Sequence, residues 1–309
     1  MSGRTWPALV LAAGLGTRLR PLSTLRAKAA LPVAGRPLII RILEQLRAAG
    51  VERVVINLHH RPETVTRVVG DGAGVGLDVR YSWESSVLGS GGGPARAIPL
   101  LAADRFFIVN GDTLSGVSLP ALAKAHLSAD AQATLAVIAA DITKYNALLG
   151  NGANEFVGIA PRGTALPSSS DLTPWHFVGV QAVNASAYAG VDPSQPSDSL
   201  RDVYARLIQA RAGSVRLFAS SGYFHDIGTP ADYLRTASAL AHDEGVALDR
   251  GRDTVVSASA RVDQTLLWDR VTVSDDAVLE HCVVADDVVV PAGARYHHAV
   301  ITRDGVTPL

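Results

Sequence analysis

An apolar run, Ala8 to Ala13, ends in Gly14-Leu15-Gly16-Thr17-Arg18. Two glycines let a backbone turn tightly and bring its N–H groups close to a ligand. An amide-lined turn after a strand favours anions, triphosphates above all. Arg18 and Lys28 then place two cations on the same segment. The spacing is neither of the two common phosphate loops. A dinucleotide fingerprint needs a third glycine at position 19, which is Leu19, and an acid where Asn57-Leu58-His59 stands. The Walker pattern G-x-x-x-x-G-K-[ST] is absent. By itself the pair reads equally as a phosphate site or as an ordinary strand-to-helix turn.

Two carboxylates extend the argument. Asp112 follows the apolar stretch Arg105–Asn110, and ligands of open parallel sheets bind outside the carboxyl ends of strands. Asp226 lies in Phe224-His225-Asp226-Ile227-Gly228-Thr229-Pro230. Two carboxylates from distant segments suit Mg²⁺, which completes its shell with phosphate oxygens and water. Taken singly, an aspartate at a turn is more simply a cap. His59-His60 and His297-His298 look like metal pairs, but adjacent side chains diverge and no third ligand stands near. Cys282 reads as a core residue of a repeat, and a role for His225 in orienting Asp226 is the lesser reading. Glu84 reads equally as a nucleoside contact or a solvated side chain.

The elements that must hold these residues alternate between strand and helix patterns. Ala8–Ala13, Arg53–Asn57, Asp78–Ser82, Arg105–Asn110, Ala133–Ala139, His176–Val183 and Val215–Ala219 read as strands. Pro37–Ala49, Glu63–Val69, Gly93–Leu101, Ser199–Ala212 and Pro230–Ala241 read as helices, the last with Thr229 as its cap. The Ser-, Pro- and Gly-rich stretch 161–174 reads as an exposed loop. The order predicts an α/β fold with a mostly parallel sheet and helices on both faces. After about residue 250 the helical period disappears. Ala260, Leu266, Thr272, Val278, Val284 and Val290 recur every six residues, which predicts a short left-handed parallel β-helix of about three coils. The expected domains are 1–248 and 249–309. So small a β-helix must pack on the first domain or on another chain.

The chain has 309 residues, 48% of them apolar, and its 28 Lys plus Arg nearly balance 29 Asp plus Glu. That balance argues against a broad nucleic-acid or membrane footprint, so any basic site is local. A single cysteine excludes an internal disulfide. No apolar run reaches the ~18 residues of a spanning helix, and none reads as a signal segment. The expected location is the cytoplasm.

Read together, the motifs resemble the sugar-1-phosphate nucleotidylyltransferases. The signature LAAGxGTRLxPLTxxxPKxLxPVxGxPxI of that family is matched almost throughout by residues 11–39. Val109-Asn110-Gly111-Asp112 resembles its metal-aspartate segment, and Leu88-Gly89-Ser90-Gly91-Gly92-Gly93 its nucleoside loop. Phe177-Val178-Gly179-Val180 resembles its sugar-side strand, and Asp226 to Leu234 its second metal segment. The matches run in order over about residues 8–240, and a C-terminal β-helix is common in such relatives.

The resemblance implies a Rossmann-like α/β domain and a Mg²⁺-dependent reaction of an NTP with a sugar 1-phosphate, giving an NDP-sugar and pyrophosphate. It implies Arg18 and Lys28 as catalytic cations. It implies Leu11, Ala13, Gly14, Leu15, Gly16, Thr17, Gly89, Gly91, Gly92 and Asp112 at the nucleotide, with Asn57 at the base. Asn146, Arg162 and Gly179 then face the sugar phosphate, and Asp112 and Asp226 hold the metal. There are departures. Ala27 and Ala30 replace the usual Pro and Leu around Lys28, Tyr145-Asn146 replaces Tyr-Gly, and Pro161-Arg162 stands for Glu-Lys. Arg and Lys are not interchangeable at such a site. The glycine loop is similar to both mannose- or heptose-1-phosphate guanylyltransferases and N-acetylmuramate-1-phosphate uridylyltransferases, and the appended repeats lean toward GTP and mannose. A sugar-nucleotide-sensing regulatory subunit is the competing reading; intact Arg18, Lys28, Asp112 and Asp226 argue against it. An acyltransferase role for the repeats fails on their length. A homo-oligomer, joined through the β-helix, is the expected assembly.

Overall fold

The computed structural model describes residues 6–164, 171–246, 248 and 251–309. The chain forms two compact units whose boundaries cross the sequence several times. One comprises residues up to Gly14, Ile42–His60 and Val69–Phe224; the other comprises Leu15–Arg41, Arg61–Val68 and His225–Leu309.

The first unit is built on a nine-stranded sheet. Its parallel half runs Arg105–Asn110, Ala8–Leu11, Arg53–Leu58, Asp78–Trp83. The first three are apolar over nearly their full length because inner parallel strands are covered on both faces, whereas the edge strand Asp78–Trp83 alternates exposed and buried residues. Beyond Arg105–Asn110 the sheet is antiparallel. Thr173–Asn184 pairs with Arg105–Asn110, Ala133–Ala139 and Ala147–Gly150, and Phe156–Ala160 forms the edge. Val215–Ala219 returns parallel to Ala133–Ala139. The expected mostly parallel sheet is therefore corrected to a mixed one. The 12-residue strand Thr173–Asn184 serves this many neighbours by bending at Gly179, where φ is 77° and its register against Ala133–Ala139 shifts between Phe177 and Gln181. Leu9, Val55, Ile108, Leu135, Val183 and the helix residues Ala97 and Leu101 share one core.

Most expected elements are present within a residue or two. The helix expected over Gly93–Leu101 starts at Gly89, so the glycine run is its first turn. The helix expected over 199–212 is a wide turn, Ser199–Tyr204, capped by Asp198, followed by Ala205–Ala210. Thr113–Ser115, Leu119–Ser128, Ala147–Gly150 and Phe156–Ala160 were not anticipated. The loop expected over 161–174 lies partly outside the described residues, and its last two residues belong to the long strand.

In the second unit the segment after Gly14 is made of single helical turns, Thr17–Leu19, Leu22–Leu25 and Lys28–Ala30, and a minimal hairpin, Pro32–Val33 with Arg36–Pro37. Helix Pro230–Asp243 begins as expected: Thr229 Oγ1 accepts the Asp232 N–H at 3.1 Å.

The C-terminal strands stack in parallel into three small sheets. Val255 pairs with Thr272 and Thr272 with Val289; Arg261 pairs with Val278 and Val278 with Arg295; Leu266 pairs with Val283 and Val283 with Val300. Each coil is thus 17 residues, not three sixes: two steps of six and one of five. The strict six-residue period is corrected accordingly. Corners fall in the left-handed region in columns 17 apart, Asp253-Arg270-Asp287 and Gln264-His281-His298. Leu267, Val273, Leu279, Cys282, Val284, Val290 and Ile301 form the interior, with Cys282 a buried free thiol. A closing antiparallel pair, Ala299–Thr302 with Gly305–Pro308, covers the last edge. Among the described residues no helix is long and apolar enough to cross a membrane.

Candidate functional site

In the first unit three parallel strands end level. Leu11 pairs with Asn57 on one side and Asn110 on the other. Just past this row, Gly111 N–H donates to the Leu11 carbonyl at 2.9 Å, which fixes the turn that presents the half-buried Asp112. A Cβ on Gly111 would stand 2.7 Å from that carbonyl, so only glycine fits. Leu11 and Ala13 frame the exposed Gly14. Nothing of the chain lies within 4 Å of where a Gly14 Cβ would be, so the fold itself does not demand a glycine there and the space is open to a ligand.

Asn57 is 2% exposed and braces this edge. Its Oδ1 accepts the Ala12 N–H at 2.7 Å, and its Nδ2 donates to Glu84 Oε1 at 2.7 Å. Glu84 is buried, not solvated, and its Oε2 accepts the Leu88 N–H at 2.9 Å. Strand end, glycine turn and helix start are thereby tied through two side chains. Gly93 lacks a side chain because one would lie 2.8 Å from Asn57 Nδ2 and 2.9 Å from Glu84 Oε1. The other loop glycines have a similar cause. A Cβ on Gly89 or Gly91 would meet Ser197 at 2.6 Å, and one on Gly92 the Gln195 carbonyl at 2.4 Å. Gly91 N–H donates to the Ser197 carbonyl, so residues 195–197 lie directly against the loop. His59 is engaged at the Glu84 carbonyl through Nδ1, 2.9 Å away.

Further along the sheet Asn146 and Arg162 come together: Asn146 Oδ1 accepts the Arg162 N–H at 2.9 Å. Gly179 is buried beneath Asn110, whose side chain occupies the place of its missing Cβ. A cavity of about 230 Å³ opens beside them, lined by residues including Asn146, His176, Phe177, Asp198 and Arg201. His176 sits between Tyr145 and Phe224, with ring centroids at 4.4 and 5.0 Å. Burial holds its pKa below the usual imidazole value. Sequence reasoning did not single out His176 or Arg201 as cavity-lining residues; His176 lies on the strand that carries Gly179, and Arg201 carried no signal.

In the second unit Gly16 meets Lys28, and Arg18 meets Asp226 from a remote stretch of chain. Gly16 has φ 61°, and a Cβ there would stand 3.0 Å from Ser23 Cβ and 3.8 Å from Lys28 Cβ. This turn therefore lies against the start of the Lys28 side chain, which is half-buried. Leu15, Thr17 and Arg18 are exposed around it. Gly228 marks a second meeting point. Its missing Cβ would lie 3.2 Å from Asp226 Oδ2, 3.2 Å from Asp232 Oδ2 and 3.4 Å from Arg18 Nη1. A guanidinium and two carboxylates thus border one place. Asp232 is engaged there: its Oδ2 accepts Thr229 Oγ1 at 2.8 Å, and Arg235 Nη2 donates to its Oδ1 at 2.5 Å. Burial would raise the Asp232 pKa, but these bonds outweigh it and hold the group below the usual carboxylate range. Burial, with Arg235 nearby, holds the His225 pKa below the usual imidazole value.

Among the described residues no three His, Cys, Asp or Glu side chains are grouped to hold a metal ion. His297 instead meets Glu280 Oε2 at 2.9 Å, and His298 stacks on His281 with centroids 4.8 Å apart. Aspartate oxygens suit a hard cation that draws most of its shell from phosphate and water, as Mg²⁺ does, rather than zinc.

Comparison with known proteins agrees with these features. Residues 7–147 match the family model described as nucleotidyl transferase. The mannose-1-phosphate guanylyltransferase of Mycobacterium tuberculosis is 28% identical, over 88% of this chain and 82% of its own length. The N-acetylmuramate alpha-1-phosphate uridylyltransferase of Neisseria meningitidis is 30% identical, over 76% of this chain and 97% of its own. The chain spans 62% of the length of its rice and Schizosaccharomyces pombe relatives. The crystal structure of HddC from Yersinia pseudotuberculosis shares the fold, with a TM-score of 0.64 at 22% identity, over 76% of this chain and all of that one. From the glycine turn to the level strand ends, and by likeness to these relatives, the chain belongs to the nucleotidyl transferase family of enzymes.

Proposed function

We propose that the chain transfers a nucleoside monophosphate from GTP to mannose or heptose 1-phosphate, giving the GDP-sugar and pyrophosphate. The observation that carries this reading is the meeting of Arg18 and Asp226 at Gly228, with Gly16 lying against Lys28. Two cations, an amide-lined turn and a carboxylate are the parts that transfer at an α-phosphorus requires. A sugar phosphate oxygen is already anionic near neutral pH, so no general base is needed. Catalysis then rests on alignment and on neutralising charge.

In this reading the amides of Gly14, Leu15 and Gly16 hold the triphosphate, flanked by Leu11, Ala13 and Thr17. Arg18 neutralises the departing pyrophosphate, and Lys28 holds the α-phosphate through the transition state. Gly89, Gly91 and Gly92 shape the helix start beside the nucleoside, their missing side chains taken up by residues 195–197 rather than by the base, with Asn57 as a brace rather than at the base. Asn146, Arg162 and Gly179 serve the sugar phosphate beside the cavity that His176 and Arg201 line. Asp112 and Asp226 would hold Mg²⁺, which supplies charge neutralisation at the phosphates when bound. The stacked C-terminal strands are read as a left-handed β-helix that joins copies into a homo-oligomer, and the cytoplasm is the proposed location.

Uridylyl transfer to N-acetylmuramate 1-phosphate is the second reading, favoured by the Neisseria relative, which the chain covers almost completely. Base choice rests on a few loop contacts. Pyrophosphate release with four NTPs, each against a panel of sugar 1-phosphates in Mg²⁺, separates the two. GTP with mannose or heptose 1-phosphate is expected to lead. No release with any pair would refute the transferase reading.

A further inference from the structure

The Lys28 segment has little internal support. Its helices are single turns and its hairpin has two residues per strand, so outside contacts must set its position. Several of those contacts come from the C-terminal part of the same unit. Tyr233 Oη donates to the Pro32 carbonyl at 2.5 Å and accepts Trp268 Nε1–H at 3.1 Å. Arg41 donates to the Val33 and Ala34 carbonyls at 2.7 Å each and pairs with Glu244.

The contact nearest Lys28 is Arg26. Its Nε and Nη2 grip the Asp286 carboxylate at 2.9 and 2.6 Å, and Nη2 also reaches Asp269 at 2.8 Å. Its guanidinium lies 5.0 Å from the Trp268 ring centroid. Asp269 and Asp286 are one coil apart, at equivalent positions, since Asp269 N–H donates to Asp286 Oδ1 at 3.0 Å. Two stacked carboxylates repel each other without a cation. Here Arg26, from the segment carrying Lys28, bridges both carboxylates, while Arg252 of the coils reaches only Asp269, at 3.4 Å. Burial would lower the Arg26 pKa, but the two carboxylates outweigh it and hold it above its ordinary value. The next residue, Ala27, is buried and donates its N–H to Thr64 Oγ1 at 3.0 Å. Lys28 follows immediately, so the backbone leading into it is pinned at two consecutive residues.

We propose that the joint of Arg26 with Asp269, Asp286 and Trp268 is a strut through which the C-terminal coils position Lys28, making Arg26 a positioning residue for nucleotidyl transfer. This rests on the transferase reading and on the role given there to Lys28. A misplacement of an ångström at a reacting group is enough to slow a reaction severely, so the strut acts on turnover more than on binding. Arg26→Lys keeps the charge and loses the two-pronged grip and the ring contact.

The test is a kinetic double-mutant cycle with the full chain: wild type, Arg26→Lys, Lys28→Ala and the double variant, with a thermal melt of each. Arg26→Lys is expected to lower kcat about tenfold, with both KM values within about twofold, as loss of alignment rather than of binding would do. In the Lys28→Ala background the same change should alter kcat by less than about twofold, because a strut has nothing left to position. An equal loss in both backgrounds, or no loss in wild type, would overturn the proposal. Should Lys28→Ala alone turn over at the wild-type rate, the role of Lys28 fails, and the strut with it; that result differs from an additive cycle. Should Arg26→Lys fold poorly, Asp286→Asn takes its place, with the same expectations.

Discussion

The stacked coils and the segment Leu15–Arg41 belong to the same compact unit but are built on opposite principles. Each coil pairs with copies of itself 17 residues away, its corners repeat in columns, and its interior is a ladder of valines and leucines. The segment has no repeat and no long element; it is held by a left-handed glycine, three single turns and the side chains of Tyr233, Arg41 and Arg26. A self-templating stack supplies rigidity, whereas an irregular segment can aim backbone amides and cations at one point. On the proposed function, the difference teaches that chemistry sits on the irregular part and the support comes from the regular one.

If that division is right, changes in the two regions fail in different ways. Lys28→Ala should cut kcat by about 10²–10³, the scale of losing one donor to a developing charge, with an unchanged melting temperature. Steady-state kinetics beside a circular dichroism melt reads both. In the coils, Leu279→Ala empties a fully buried site and should destabilise by about 2–5 kcal/mol, while the folded fraction keeps its turnover. Denaturant unfolding and kinetics at low temperature check it. Gly16→Ala should do some of each. Its φ of 61° disfavours any side chain by about 1–2 kcal/mol, and Ser23 must yield to the new methyl.

A smaller effect comes from pH, and it arises in neither region. His126 is buried in the first unit; its Nδ1 lies 2.9 Å from Thr134 Oγ1 and its Nε2 3.2 Å from Asn184 Oδ1. Burial lowers its folded-state pKa, the Asn184 bond opposes this, and Arg105 adds to it. The unfolded chain therefore binds more protons below about pH 6.5, the ordinary imidazole value. The stabilisation is present above that pH and is lost as pH falls through the folded-state value. His126→Gln should flatten the decline in urea midpoint between about pH 7.5 and pH 5, leaving a remainder from His176 and His225, which are lowered in the same direction. The smallest effect belongs to the coil surface. Arg270→Ala breaks an exposed pair with Asp287 and should leave both melting temperature and turnover within experimental error.

Much of this was legible in the sequence, for identifiable reasons. The buried parallel strands announce themselves as apolar runs, and Thr229-Pro230 announces a helix start. The roles of Gly14 and Gly16 were suggested by their spacing, but only the fold separates them: Gly16 is required by its backbone angle, and Gly14 is not. The antiparallel half escaped because Ala147–Gly150 and Phe156–Ala160 are short edge strands with weak alternation. The six-residue period was nearly right because two sides of each coil take six residues; the five-residue side shifts every later position by one. The partners of Asn57 and Arg26 were not legible at all. Glu84 resembles a surface acid, and Asp269 and Asp286 acquire a meaning only once the coils bring them one above the other.

The account depends most on Asp226, the carboxylate that meets Arg18 at Gly228. The direct test is pyrophosphate release by purified Asp226→Asn across a Mg²⁺ titration, with GTP and mannose 1-phosphate, beside wild type and with folding verified by a thermal melt. The account predicts a native melt and turnover lower by about 10³ or more at every Mg²⁺ concentration, as for loss of a charge that acts at the reacting phosphates. Wild-type turnover in saturating Mg²⁺ would contradict it.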